Sequence, residues 1–226
     1  MPTAATPKRR GEAAGETAVR QRILSAAFSA FTEAGYAETS TLDIATRARV
    51  SKRELYAVVG NKQEMLVACI RERARRLQAP ADLPEPRDRD TLERVLVAFG
   101  AQLLRETTNP TVIAVFRLAI GEAVRTPEVA RALHSLGRQT SRAALTAIMT
   151  QAQSHGLLSG RPPEMAEQFA GLLWGDLMIS LLLRIVDTPT PRETTRRARS
   201  AATAFLRLHP DTSQAPAAQP PPACKT

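Results

Sequence analysis

An all-α fold of about nine helices is predicted by three observations. Apolar residues recur at three- and four-residue steps, explicit helix-start signals precede most of those runs, and no segment alternates with the two-residue period of a strand. The 226-residue chain is 43% hydrophobic and 23% charged, which is enough apolar material for a buried core. Its length suits one large domain, or a small domain joined to a larger one.

The first 15 residues, rich in Ala, Pro, Gly and charge, read as a disordered basic arm. Lys8, Arg9 and Arg10 there either reach a polyanion or belong to an untethered terminus. From Glu16 a helix is expected, with Val19, Ile23, Ala27, Phe28 and Phe31 on one face and Gly35 as its left-handed stop. Three start signals follow. Ser40-Thr41-Leu42-Asp43, Ser51-Lys52-Arg53-Glu54 and Asn61-Lys62-Gln63-Glu64 each place a hydroxyl or amide three residues before a carboxylate, the pattern of a capping box. This spacing ends the second helix near Arg49 and the third before Gly60. Two short helices joined by a tight turn form a helix-turn-helix, here spanning roughly residues 40 to 58. Leu42, Ile44, Ala45, Val50 and Leu55 are expected to share its small core with Phe28 and Phe31.

A fourth helix runs from Lys62 to about Leu77 and stops before Pro80, and residues 80–89, with Pro84 and Pro86, read as a loop. Apolar periodicity then covers Leu92 to Leu104. Asn109-Pro110 and Thr126-Pro127 each pair an N-cap residue with proline at the first helical position. Long helical patterns cover Val129 to Gln153, closing at Gly156, and Met165 to Val186. Thr190-Pro191-Arg192-Glu193 opens a last helix ending near Leu208. The expected architecture is therefore a three-helix N-terminal helix-turn-helix domain (16–61) joined to a larger C-terminal helical bundle (62–208). The basic arm (1–15) precedes it and a disordered Pro/Ala-rich tail (209–226) follows.

Composition removes several function classes. No apolar run approaches the roughly 20 residues needed to span a bilayer, and the polar N-terminus lacks a secretory signal, so a cytoplasmic location is expected. Cys69 and Cys224 form neither a disulfide framework nor a zinc spacing, and His134, His155 and His209 have no acidic or thiol neighbours at ligand spacing. No metal or cofactor is expected. The chain has no recognisable activated nucleophile, no paired carboxylates among apolar residues and no Gly-rich phosphate loop, so no catalytic residue is assigned. The net charge is +9, and the excess is concentrated in the first 80 residues, where 14 basic side chains face 8 acidic ones. That asymmetry suits a polyanionic partner at the N-terminal third.

Three stretches carry a specific resemblance. Thr41-Leu42-Asp43-Ile44-Ala45, Val50-Ser51-Lys52-Arg53-Glu54-Leu55-Tyr56 and Asn61-Lys62-Gln63-Glu64-Met65-Leu66 resemble, in residues and spacing, the DNA-binding domain of the tetracycline-repressor (TetR) family across about residues 17–70. Beyond that, only the all-helical pattern matches. The resemblance implies a homodimer on pseudo-palindromic double-stranded operator DNA. It implies that Thr41 contacts phosphate, that Ser51, Lys52 and Arg53 open a recognition helix in the major groove, and that Tyr56 and Lys62 clamp the flanking backbone. The first residues of a groove-inserted helix do reach base edges, and Arg or Lys pairs with guanine O6 and N7. Two departures stand out. Where the family usually has a small or hydroxyl residue, Glu54 is a carboxylate that phosphate would repel, so it is assigned to the cap of Ser51, the alternative being cytosine readout. Val58 and Val59 replace a His/Phe-like pair, which alters packing between the third and fourth helices.

The resemblance further implies a small effector that releases a repressor from its operator. Phe99, Leu103, Phe116, Ile120, Trp174 and Met178 are large apolar residues that either line an effector pocket or fill an ordinary core, and a pocket of them suits an apolar or aromatic compound. Arg117 either orients such a ligand or sits in an ion pair or at a helix edge, and Asp176 poses the same choice. Ala170 to Val186, with Thr194, Ala198, Ala201, Ala202 and Phe205, either forms a dimer interface or packs inside one protomer. An activator, an effector-independent regulator, or a small-molecule-binding helical protein without a DNA role are the other functions these features allow.

Overall fold

In the computed structural model the described residues are 7–125 and 127–210, with side chains from residue 15 onward. Thr126, the expected cap, and residues 211–226 of the tail lie outside the described residues, as do residues 1–6 of the arm and the side chains of Lys8, Arg9 and Arg10. All regular structure among the described residues is helical. The segments are α1 (Pro7–Ala34), α2 (Thr41–Ala48), α3 (Lys52–Val59), α4 (Lys62–Ala74), α5 (Arg89–Thr107), α6 (Pro110–Glu122), α7 (Pro127–Ala132), α8 (Gln139–Ser154), α9 (Pro162–Trp174), α10 (Leu177–Leu182) and α11 (Pro191–Leu208). A 3₁₀ turn extends α4 over Arg75–Leu77, and a π-helical stretch, Leu133–Arg138, joins α7 to α8.

Boundaries follow local chemistry. Gly35, at φ 88°, ends α1 in a conformation that only glycine adopts without strain. α1 begins at Pro7 rather than at Glu16; proline suits a first helical turn, and Ala13, Ala14 and Glu12 are good helix formers. The expected Met165–Val186 helix is broken instead at Gly175 (φ 45°) and stops at Leu182. There Arg184 is left-handed, with Ile185 N–H donating to Ser180 O at 2.9 Å and Arg184 N–H to Leu181 O at 3.1 Å, a Schellman ending.

Side-chain caps form at these starts, but not uniformly. Asn61 and Glu64 form a complete capping box, as do Thr190 and Glu193. Ser40 and Ser51 accept from Asp43 N and Glu54 N, but their acids do not reach back: Asp43 turns instead to Arg47, at 3.1 Å.

By its contacts the chain divides into two compact units, neither continuous in sequence. One comprises residues up to 78, 105–141 and 177–188. Its core draws Ile23, Ala27 and Phe31 from α1, Ile44 and Ala45 from α2, Leu55 and Val59 from α3, Leu66 and Cys69 from α4, and Val115 and Ala119 from α6. Leu42 does not join this core as expected; it is 63% exposed, at about 110° around α2 from the centre of the buried stripe of Ile44, Ala45 and Ala48. Burial pushes the Cys69 thiol up to about 12, and its S–H donates to Leu24 O at 3.3 Å.

The other unit comprises residues 79–104, 142–176 and those from 189 on. Leu92, Leu96 and Phe99 of α5, together with Met149, Phe169, Leu173 and Phe205, are its large buried residues, and the Phe169 and Phe205 rings meet edge to face at 5.8 Å. Gly100 is a close-approach position: a Cβ there would lie 3.3 Å from both Leu173 Cδ1 and Phe169 Cζ. Thr194, Ala198, Ala201, Ala202 and Phe205 are all buried, so this face of α11 packs inside the protomer, whereas Leu172, Ile179 and Leu183 of the Ala170–Val186 stretch are exposed.

Three arginines close helix C-termini, where carbonyls lack backbone partners. Arg117 donates to Leu181 O and Leu182 O at the end of α10. Arg197 donates to Leu173 O and Trp174 O at the end of α9. Arg89 donates to Leu206 O and His209 O at the end of α11, and also to Leu157 O.

Candidate nucleic-acid interface

The turn between α2 and α3 fixes the geometry on which recognition depends. Arg49 takes the left-handed conformation (φ 55°), with Val50 N–H donating to Ala45 O at 3.0 Å and Arg49 N–H to Thr46 O at 3.1 Å. Ser51 then caps α3, its Oγ accepting from Glu54 N at 3.1 Å. Residues Lys52, Arg53 and Glu54 follow as the first helical turn, and all three are exposed.

Only Leu55 and Val59 of α3 are buried. Successive residues of an α-helix turn by about 100°, so Arg53, Glu54 and Ala57 lie about 120° to 180° from that buried stripe. Lys52 and Tyr56 stand at its flank. Exposure agrees: Arg53, Glu54 and Ala57 are open to solvent, and Val58, beside the stripe, is half-buried.

The flank is organised by hydroxyls. Thr41 Oγ1 and Tyr56 OH are 3.1 Å apart, which brings the first residue of α2 beside the middle of α3. Lys52 Nζ lies 6.0 Å from the Tyr56 ring centre. The N-terminal end of α2 therefore adds its N–H groups and a hydroxyl to the edge of the face presented by α3, an arrangement that suits phosphate.

Lys62, the first residue of α4, is held differently. Its ammonium donates to Ala37 O at 3.1 Å and sits 4.6 Å from the centre of the Tyr36 ring. Burial lowers its pKa, while the carboxylates of Glu122 and Glu38 act in the opposite sense. The Tyr36 phenol is raised by the same burial and then by Glu122. Ser51, Lys52, Arg53 and Tyr56 are thus exposed on α3 and its cap, with the half-buried Thr41 beside Tyr56, whereas Lys62 is anchored on the loop after α1.

Several supports were not signalled by the caps. Arg47 bridges Glu33 of α1, at 2.6 Å, and Asp43 of α2, and these two carboxylates raise its pKa. Arg20 of α1 donates to Val58 O at 2.8 Å near the end of α3. The buried Thr39 hydroxyl has both Gly35 O at 2.6 Å and Ala30 O at 3.0 Å within reach, which fixes the α1–α2 connection. The i,i+4 spacing of Asp43 and Arg47 is readable from sequence. Arg20 and Thr39 act across distances that periodicity does not encode.

The candidate effector residues are divided between the two units. Phe99 and Leu103 are fully buried in the core of the second unit, and Trp174 is half-buried there. In the first unit Phe116 and Met178 are half-buried, Ile120 is 60% exposed, and Arg117 is committed to the end of α10. Asp176 is exposed, 3.9 Å from Arg197. Among the described residues no group of three or more His, Cys, Asp or Glu side chains could hold a metal ion, and no helix is long and apolar enough to cross a membrane.

A capped three-helix unit that holds a short exposed helix behind a tight turn defines a helix-turn-helix DNA-binding protein. Similarity to known proteins makes that more specific. Residues 23–69 match the model of bacterial regulatory proteins of the tetR family, and residues 94–209 match that of the AefR-like transcriptional repressor C-terminal domain. The chain belongs to the TetR family of transcriptional regulators.

Solved structures agree. A TetR transcriptional regulator from Agrobacterium tumefaciens is 26% identical, with a TM-score of 0.72 over 84% of this chain and 94% of that one. FrrA, a flavonoid-responsive regulator, is 27% identical, with a TM-score of 0.68 over 85% and 97%. A TetR-family regulator from Pseudomonas syringae pv. tomato is 26% identical, with a TM-score of 0.61 over 84% and 96%. No curated protein matches the sequence.

Proposed function

We propose that this regulator is a repressor that binds a two-fold symmetric operator as a homodimer and leaves it when a small apolar or aromatic effector binds. The observation that carries the DNA half is the exposed face of α3, with Lys52 and Arg53 on the first turn and the Thr41–Tyr56 pair at its edge. Lys52 and Arg53 read guanine O6 and N7. Thr41, Ser51 and Tyr56 hold phosphate, and Lys62 reaches the flanking backbone by exchanging the Ala37 carbonyl for a phosphate oxygen. Two-fold symmetry follows from reading successive major grooves with identical helices.

Repression rests on the match of residues 94–209 to a repressor domain, and the effector class on the flavonoid-responsive relative together with the apolar candidates. Phe116 and Met178 of the first unit, which keep part of their surface open, are better placed to meet a ligand than the sealed Phe99 and Leu103 of the second. An effector acts by preferring the protein geometry that does not fit DNA, and its leverage equals that preference.

The test is an electrophoretic shift on the promoter of the protein's own gene, titrated with a panel of flavonoids, other aromatic compounds and fatty acids. A sequence-specific complex, abolished in Lys52→Ala and Arg53→Ala and dissolved by one compound class, is expected. Binding indifferent to both substitutions sinks the DNA reading. A complex that no compound dissolves removes the effector.

A further inference from the structure

In the start signals that open α2, α3, α4 and α11, the acid at the third helical position meets three different surroundings. Glu64 folds back onto Asn61 N–H at 2.7 Å, and Glu193 folds back onto Thr190 N–H at 2.8 Å. Asp43 pairs with Arg47. Glu54 does neither: Ser51 receives its backbone N–H, but among the described residues its carboxylate has no hydrogen bond or ion pair. The cap on α3 is thus complete in the serine half and leaves the acid free.

Its position gives that freedom a use. Glu54 lies about 120° around α3 from the buried stripe, further out than Lys52 or Tyr56, on the face it shares with Arg53 and Ala57. Ala57, also exposed, has only a methyl group to place beside it. A carboxylate is a pure acceptor. In the major groove, cytosine offers an N4 amino donor, whereas adenine offers its N6 donor next to the N7 acceptor, which repels a carboxylate, and guanine and thymine lead with acceptors. The cytosine's partner guanine presents O6 and N7 to a cation, and Arg53 is the adjacent residue on the same face.

We infer that Glu54 is a specificity-determining residue that accepts a hydrogen bond from the N4 amino group of a cytosine in each operator half-site. Lys52 and Arg53 offset the repulsion between its charge and the phosphates. The inference rests on the proposed recognition role of α3, and the experiment separates the two.

Full-length wild-type protein, Glu54→Gln and Glu54→Ala are each used to select binding sites from a random duplex pool, and affinities for the selected sites are measured. For wild type, one position in each half-site is cytosine, and replacing that base pair weakens binding by about 5- to 150-fold. Glu54→Gln changes the preference at that position alone to adenine, because an amide offers the donor and acceptor that N7 and N6 require. Glu54→Ala loses the preference there: it binds sites with another base pair at that position at least as well as wild type, since a negative charge has been removed, and binds the cytosine site no better than those. Identical selected sites for all three proteins overturn the inference while leaving α3 as the reader. A uniform loss of affinity in both variants, together with a lower melting temperature, assigns Glu54 to the cap and also overturns it. No selected sequence for the wild type removes the recognition role and this inference with it.

Discussion

The Tyr56 hydroxyl offers the cleanest separation of folding from DNA binding. Tyr56 is 43% exposed, and its hydroxyl lies 3.1 Å from Thr41 Oγ1. In Tyr56→Phe the ring keeps its packing and Thr41 turns to water, so the free protein loses at most about 0.5 kcal/mol, the low end for one hydrogen bond. In the proposed complex the same hydroxyl donates to a phosphate. A hydrogen bond to a charged group contributes about 1.5–3 kcal/mol, and the exposed setting favours the lower figure. A two-fold complex loses it twice, about 3 kcal/mol in all, or roughly a hundredfold in affinity. No charge is removed, so the slope of log affinity against log salt stays at its wild-type value. Lys62→Ala, by contrast, reduces that slope by about 0.9 for each phosphate it no longer neutralises. Fluorescence anisotropy on a labelled operator, at several salt concentrations, reads both quantities. Binding by Tyr56→Phe within twofold of wild type, or weakening confined to particular base sequences, would remove the hydroxyl from the phosphate contacts.

Further predictions concern the two units. Arg117→Ala removes both side-chain donors at the end of α10 and should cost about 2–3 kcal/mol, a fall of several degrees in melting temperature by calorimetry; Arg117→Lys recovers at most part of it. An unchanged melting temperature would show that water replaces the guanidinium freely. Gly100→Val should destabilise by about 1–3 kcal/mol in denaturant titration, since even a single Cβ meets Leu173 and Phe169 at 3.3 Å. Cys69 holds its proton more tightly folded than unfolded, so the stability it contributes is fully present below about pH 9 and is lost as pH rises toward 12. In a Cys224→Ser background, a thiol reagent at pH 8 should therefore label Cys69 only at the rate of unfolding; rapid labelling of folded protein would contradict its burial.

Helix positions are legible in the sequence wherever a local signal sets them. Asn61 with Glu64, Thr190 with Glu193, Asn109 with Pro110, and the glycine stops at 35 and 156 act within four residues of where they are written. The start signal at Ser51 places α3 but not the Glu54 carboxylate. A capping box requires the acid to choose the backbone over solvent, and spacing does not encode that choice. Leu42 is misplaced for a related reason: in an eight-residue helix the apolar stripe is so short that one leucine does not define a face. The run from Met165 to Val186 reads as continuous because Gly175 is a single residue in an apolar stretch, and the left-handed turn it permits is visible only in the backbone.

Of the site, the exposed turn of α3 is readable because it joins a cap to a spaced apolar pair, Leu55 and Val59. The partners that hold it are not, since Arg20 and Val58 are 38 residues apart. Arg117 illustrates the same limit from the other side. Its place among apolar neighbours suggests a ligand, whereas its two bonds run to carbonyls more than 60 residues away.

Whether α3 reads DNA in two symmetric copies is decided by footprinting the full-length protein on DNA upstream of its own gene. Two protected half-sites related by a dyad are predicted, with centres about one helical turn, or a multiple of it, apart. Protection should disappear in Lys52→Ala and Arg53→Ala proteins that melt at the wild-type temperature. Protection without a dyad, or protection that both variants retain, would rule out recognition by paired α3 helices.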